Sequence, residues 1–486
     1  MKKTNLLLSV VVIGMVFSSC KKDFLDIVPK GNLVASTTND FDLLLNNPDF
    51  YEQLQGGGWQ AMMLLGDDVS AEESSFATTP VESQRLFRWE DVIYQPTGTA
   101  RDLTVNLGNL YALNKTINEI DAASGDIRQK TLLKAEAKAM RAFTYFQFVN
   151  YYTKPYDPRT AGTDPGFPVI TEANALANSF DRGTVQADFD FMLRDLNESI
   201  SVLPLTPKSP IRMSKPAAEA ILAKVYLFMG KYSDALAQLN NAFSHLAGSA
   251  VRLYDYNVEF APDGSFMPIG PMGPSSPGNN PNDFTESVLS RTFYSGEYNG
   301  NGFGNDGLVL SAKAAALYTS SDQRLNLYSA TTQSGAPNPS GRLRKFGLQY
   351  VKYGVELSEM YLLRAECKDR LNDLAGAKAD VETLRKKRVS AAEAAVPPAV
   401  AGDQRALLNF ILDERVREYA FGGYRWFDMR RLSVDPLFAQ NTYTHLLYLI
   451  NGAPTATSVF TLRPERLVLR FPETIIVSNP GLKNNP

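Results

Sequence analysis

Apolar residues recur at three- and four-residue steps over long stretches of this chain, the spacing that keeps one helical face out of water. Leu103, Leu107, Leu110, Leu113, Ile117 and Ile120 form the first such stripe. Leu132–Tyr152, rich in Ala, Phe and Tyr, predicts a second helix ending before Pro155, with Ser124-Gly125-Asp126 as the turn between them. Phe189, Met192, Leu193, Leu196 and Ile200 mark a third, which begins near Thr184 and stops at Pro204. Ser214 and Pro216 suit the cap and first turn of a fourth, running through Ala217–Met229 and restarting after Gly230 as Tyr232–Leu246. Helix returns at Val355–Leu371, turns at Asn372-Asp373 and continues as Leu374–Val389; Asp403–Phe421 and Tyr424–Leu432 follow. Asp40–Leu45 predicts one short helix near the start.

These elements predict a mainly α fold, with helical pairs in a right-handed stack and long irregular loop inserts forming a binding face. The run Ala223–Ala235, with its Gly230 and Tyr232, resembles the turn of a tetratricopeptide (TPR) repeat, where small residues let antiparallel helices approach. Two regions break the pattern. Residues 46–104 read as irregular, apart from Leu86–Val92, which reads as a strand burying Trp89; residues 247–349 are crowded with Gly, Pro, Ser and Asn. Loops of that length in a compact body tend to carry function. Arg466–Phe471 and the Pro/Asn-rich tail read as extended.

The N-terminus changes the picture of where the body resides. Lys2 and Lys3 precede an apolar run, Leu6–Phe17, and then Ser18-Ser19-Cys20, the layout of a bacterial export signal with an acylated cysteine. Twelve helical residues reach about 18 Å, short of a hydrocarbon core of about 30 Å, so the segment does not span a bilayer. The expected organisation is a signal over residues 1–19, a tether over 20–35 and one body over 36–486.

Composition excludes several functions. The net charge of −3 comes without a basic stripe, so no nucleic-acid partner is expected. Arg385-Lys386-Lys387-Arg388 reads as a helix end complementing the dipole. With Cys20 acylated, Cys367 alone remains and reads as a small buried apolar residue. His245 and His445 read as surface or satisfied histidines, and no zinc spacing occurs. No cofactor is expected; Asn299–Gly307 offers oxygen donors for calcium but lacks the acidic spacing of an EF-hand loop. Asp67-Asp68 and Glu72-Glu73 read as a solvated acidic turn, with a glycosidase carboxylate pair as the rival reading. No nucleotide-binding loop of the GxxxxGK[ST] kind occurs.

Five landmarks in order carry a family resemblance. They are Cys20–Asp26; Arg141–Phe146 with Tyr151-Tyr152; Glu359–Glu366; Ile411–Phe421 continuing through Leu432; and Phe471-Pro472 with Asn479-Pro480 and Asn485-Pro486. The chain resembles the SusD/RagB outer-membrane lipoproteins of Bacteroidetes along nearly its whole length. The resemblance implies four TPR-like units and a loop-built binding face, with an N-terminal part over about 24–215, a loop-rich insert over about 247–349 and a C-terminal part over about 290–486. It implies a lipid-anchored protein on the outer membrane, facing the cell exterior. It also implies a partner, a SusC-like TonB-dependent transporter that the lipoprotein caps as a lid. The ligand would be a glycan, or a peptide as in the RagB branch; a lipid-anchored glycosidase and a TPR assembly scaffold are the rivals from other classes. The arginines and carboxylates of the fourth landmark read as a structural ion-pair network, with Trp426 and Phe427 buried, and Arg141 as a residue that orients a helix.

Ligand contacts should then come from loops. Flat aromatic rings cover the C–H face of a sugar, and amide, carboxylate and guanidinium groups satisfy its hydroxyls. The candidates are Trp59 beside the triple glycine, Tyr94 with Gln95 and Arg101, and Tyr294 with Tyr298 and Asn299. Tyr94 is the nearest equivalent of the aromatic that family members bring before their first long helix; the tryptophan often found there is missing.

Overall fold

The computed structural model describes residues 35–53, 61–294, 307–332, 334–346, 350–449 and 457–486. The signal with Cys20, nearly all of the tether, Trp59, Tyr298 and Asn299 lie outside these, as does most of the Asn299–Gly307 run; Tyr294 enters through its backbone.

The long helices are α1 (Arg101–Glu119), α2 (Ile127–Tyr152), α3 (Val185–Ile200), α4 (Lys215–Phe228), α5 (Tyr232–His245), α6 (Leu357–Arg370), α7 (Leu374–Arg385), α8 (Gln404–Tyr419) and α9 (Tyr424–Ser433). Side-chain oxygens satisfy the orphan amides at several starts: Asp126 accepts from Gln129 N, Thr184 from Ala187 N, Ser214 from Ala217 N and Asp403 from Ala406 N. Each helix from α1 to α7 packs against the next, and α6 also packs on α8, which leads to α9. The result is the mainly α stack of paired helices that the periodicity predicts.

Helix α2 is the axis of the N-terminal half. Its residues from Ala139 to Tyr152 are buried all round, so this stretch has no polar face. Arg141 on α2 makes a two-pronged ion pair with Asp195 of α3 (2.8 and 3.0 Å) and donates to Asn114 of α1 at 2.8 Å, locking three helices at one buried point. Arg430 of α9 closes the C-terminal end of α2 by donating to the carbonyls of Val149 (3.1 Å) and Thr153 (2.6 Å). Trp426 Nε1 donates to Asn150 O at 3.1 Å, and Phe427 is buried, as expected for the fourth landmark.

Short strands stitch the inserts onto this array: β1 (Glu52–Gln53), β2 (Val69–Glu72), β3 (Ser287–Leu289), β4 (Thr292–Tyr294), β5 (Leu308–Leu310), β6 (Tyr328–Ser329), β7 (Arg344–Lys345), β8 (Tyr350–Lys352), β9 (Val355–Glu356), β10 (Thr444–His445-Leu446-Leu447-Tyr448) and β11 (Thr457–Thr461). They form a three-stranded sheet in the order β1-β4-β8, a four-stranded sheet β11-β10-β2-β5, and the pairs β3-β9 and β6-β7. A buried ion network fastens the insert to the helices. Arg324 pairs with Asp322 (2.7 Å), Glu414 (2.8 Å) and Glu418 (3.0 Å). Glu414 also holds Arg385 and Arg417, and Arg388 bridges Glu418 (2.8 Å) to Glu286 (2.9 Å).

Several expectations need correction. Arg385 does close its helix, but Arg385 and Arg388 are also buried in that ion network and so serve more than the helix dipole. Trp89 is buried, but it follows a helix over Val81–Phe87 and takes φ +51, so Leu86–Val92 is not a strand. Pro464–Leu467 is a 3-10 turn and Glu473–Ser478 a short helix, so the tail is not simply extended. Asp67 and Asp68 are 7% and 3% exposed, which ends the solvated-turn reading. Among the described residues no helix is long and apolar enough to cross a membrane.

Candidate functional site

The three-stranded sheet gathers the roots of the segments that carry the aromatic candidates. β1 runs parallel to β4, with Gln53 opposite Phe293, so the chain leaves both strands at the same edge. One exit leads into residues 54–60 with Trp59, the other into 295–306 with Tyr298 and Asn299. β8 pairs antiparallel with β4, Tyr350 opposite Tyr294, and so enters the sheet at that edge. The far end of residues 54–60 is fixed on α1, where Ala61 N donates to Asp102 Oδ2 at 3.2 Å.

Tyr94, Gln95 and Arg101 sit beside that anchor point. Gln95 and Arg101 are exposed; Tyr94 is half-buried, and its hydroxyl bonds to Tyr152 in a cluster of phenols near Asp102. Burial first, and then the Asp102 charge, push the Tyr94 hydroxyl up from its ordinary value. Burial likewise raises Asp102 to about 6. Tyr94 therefore directs its polar end into the body.

Below the sheet edge lies a cleft of about 160 Å³, walled by Phe346 and Tyr350 on the insert side and by Tyr419 and Tyr424 on the helix side. The last two rings stack at 4.2 Å across the α8–α9 turn. Tyr419 shares a 2.7 Å hydrogen bond with Ser358 Oγ, whereas the buried Tyr424 hydroxyl has no hydrogen-bond partner among the described residues. Two lysines line the same cleft. Lys345 Nζ donates to Ala420 O at 2.7 Å, and burial lowers it to about 8. Lys352 Nζ donates to Asp283 O at 2.9 Å and is also lowered, again by burial. Glu356 accepts from Ser287 Oγ through both oxygens (2.9 and 3.0 Å), and burial raises it to about 7.

The floor is a strained turn. Phe421 has φ +65 and Gly423 φ +81. Asp68 Oδ2 accepts the Phe421 N–H at 2.9 Å, and Asp67 forms an ion pair with Arg425 in the first turn of α9. The acidic pair thus holds the turn. A glycosidase needs two carboxylates facing an open bond from both sides, and these two are spent on backbone and arginine.

The remaining candidates have structural partners. His445 stacks between Phe87 (4.3 Å) and Trp89 (3.9 Å), with its ring nitrogens 2.6 and 2.7 Å from the Phe87 and Gly66 carbonyl oxygens. His245 Nδ1 lies 2.8 Å from Glu219, and Cys367 is buried. Among the described residues no cluster of His, Cys, Asp or Glu could hold a metal ion. Lys345, Lys352, Glu356 and Tyr424 are the cleft residues that sequence reasoning missed. Tyr424 stood inside a recognised landmark, so its aromatic neighbour Tyr419 was the available signal; the lysines carried none.

Comparison with known proteins agrees with this architecture. A family model described as starch-binding and associating with the outer membrane matches residues 103–227, and one described as the SusD family matches residues 357–486. The "SusD-like protein P2" of Formosa agariphila is 24% identical over 372 residues, spanning 68% of this chain and 70% of that protein. A SusD superfamily structure from Bacteroides thetaiotaomicron covers 93% of this chain and 100% of its own, at 18% identity and a TM-score of 0.70. A SusD-like carbohydrate binding protein from Bacteroides vulgatus covers 92% of this chain and 97% of its own, at 16% identity and a TM-score of 0.67. At such identities the structural likeness establishes the fold, and the two family matches fall in order on its helices. The chain belongs to the SusD/RagB family.

Proposed function

We propose that this protein is a cell-surface lipoprotein that captures oligosaccharide and delivers it to a SusC-like TonB-dependent transporter, without chemical conversion. The observation that carries the reading is the edge of the three-stranded sheet, where two candidate-bearing segments leave side by side above a tyrosine-walled cleft. A stacked ring pair, with one hydroxyl unpaired among the described residues and two lysines beside it, matches the two-sided chemistry of a sugar, an apolar face rimmed by hydroxyls. The carbohydrate-binding description of the Bacteroides vulgatus relative supports the same ligand class. Asp67 and Asp68 are engaged in holding the α8–α9 turn, which favours binding over hydrolysis. An anchor at Cys20 would keep the body at the membrane surface, where a barrel partner could receive its cargo.

The test is a screen of the protein, lacking its lipid, against neutral and acidic oligosaccharides and a peptide library. Saturable binding of an oligosaccharide, without its cleavage, is the expected result. Binding of peptides alone would transfer the protein to the peptide-binding branch, and turnover of a glycan would overturn the non-enzymatic reading. Co-purification of a TonB-dependent barrel from native membranes tests the partner.

A further inference from the structure

We propose that the cleft beneath the sheet edge is a subsite for an acidic sugar residue, one whose ring carries a carboxylate or a sulfate ester. The proposal rests on the oligosaccharide reading above and names the class of glycan.

The argument starts from unmatched cations. Among the described residues, neither Lys345 nor Lys352 has a carboxylate within ion-pair distance; each meets one backbone carbonyl and one ring face, Tyr328 at 5.7 Å and Phe284 at 5.5 Å. An ammonium has three donors, so donors remain on both lysines inside one cleft. Burial is costly and outweighs the more distant charges of Glu356 and Asp283 at Lys352, and of Asp68 and Glu418 at Lys345, which is why both are held below the ordinary lysine range. An anion placed between the insert and the α8–α9 turn would relieve that cost.

The carboxylates along the same wall are already occupied. Glu286 and Glu418 are both bound by Arg388, and Glu418 also by Arg324. Asp283 accepts from Tyr254 Oη (2.7 Å) and Thr285 N (3.1 Å). Glu356 is held by Ser287 and pushed toward its neutral form. The cleft is therefore less acidic than its residue types suggest.

A second, independent observation points to a ligand. Tyr424 lines the cleft and is only 6% exposed, and its hydroxyl has no partner among the described residues. A buried polar group left unsatisfied is destabilising, and a sugar hydroxyl would complete it. The Tyr419–Tyr424 stack beside it offers the apolar surface that a pyranose ring covers. β8 supplies Lys352 to the cleft and pairs with β4, the strand that precedes residues 295–306 in the chain.

The test measures affinity for matched pairs: trigalacturonate and its methyl ester, and a sulfated carrageenan oligosaccharide and its desulfated form. The acidic member of one pair should bind at least about tenfold tighter, as expected for a charge-assisted hydrogen bond in a secluded site. Which pair discriminates identifies the carboxylate or the sulfate. Lys352→Met should bring the acidic ligand down to the affinity of its neutral partner, and Tyr424→Phe should weaken both members a few-fold. Lys345→Met, which also frees the Ala420 carbonyl, is compared after its fold has been verified by circular dichroism; Lys352→Met carries the test if it fails. Equal affinity within both pairs, or a preference that survives Lys352→Met, overturns the subsite. Binding of neutral sugars alone overturns it while leaving the oligosaccharide reading in place. Failure of the folded protein to bind any sugar removes both.

Discussion

The carboxylate of Asp68 accepts the backbone N–H of Phe421 at 2.9 Å, although 353 positions separate them in the chain. The bond holds Phe421 in the left-handed region, which costs an L-residue about 1–2 kcal/mol. Burial raises Asp68 to about 6, above its ordinary 3.8. A carboxyl raised on folding favours the folded state fully below pH 3.8 and loses that contribution as pH rises through about 6. Asp68→Asn keeps an acceptor for Phe421 N without the charge. It should stabilise the protein at pH 7.5, by on the order of 1–3 kcal/mol, and the gain should vanish toward pH 4. Denaturant melts of both proteins across that range decide it.

Gly423 follows at φ +81, and a Cβ there would collide with Met62 Cγ. Gly423→Ala combines a conformational penalty with displacement of a buried side chain. Thermal melts should show a loss of about 2–4 kcal/mol. Gly230→Ala shares a positive φ but meets nothing within 4 Å, so it should cost only the conformational part, about 1–2 kcal/mol.

Arg141 and Asp195 are both almost fully buried, and Arg141 also serves Asn114. Asp195→Ala leaves a guanidinium in the core without its charge partner, and should cost about 3–5 kcal/mol in urea unfolding. The double replacement Arg141→Met with Asp195→Ala should cost less than the sum of the single changes, because neither charge is stranded.

Among the described residues Arg430 pairs with no carboxylate; burial lowers it to about 9, and its work is to cap α2 at Val149 and Thr153. Arg430→Lys retains a charge but not the fork that reaches two carbonyls. It should destabilise nearly as much as Arg430→Met, a result that calorimetric melts would check.

Membrane attachment is tested at Cys20. Cys20→Ala should shift the protein from the membrane pellet to the soluble fraction, since acyl chains bind with about 0.8 kcal/mol per buried methylene.

The sequence made the helical array legible wherever a helix had two faces. The stripe from Leu103 to Ile120 and the Thr184 and Ser214 caps located α1, α3 and α4 within a turn. The α8–α9 landmark read correctly as structural because opposite charges stand at helical spacing in Glu414–Arg417 and Asp428–Arg431; Arg141 finds its partner, Asp195, on another helix. Trp89 misled because the alternation from Leu86 to Val92 belongs to a helix end and a turn. Asp67 and Asp68 misled because their partners, Arg425 and Phe421, lie more than 350 residues downstream. The sheet that roots the candidate segments was hidden for the same reason. Strands of two or three residues leave no periodic signal, and the Gln53–Phe293 pairing spans about half of the chain. Lys345 and Lys352 look like ordinary surface lysines until the insert folds over the α8–α9 turn.

Strands β1, β4 and β8 have a consequence for how such a chain diverges over time. Because the segments after β1 and β4 and the one before β8 meet the sheet at one edge, residues can be added or deleted there while every helix keeps its neighbours. Lengthening a surface connection costs little chain entropy, so small insertions can reshape that rim while the scaffold beneath stays under separate selection.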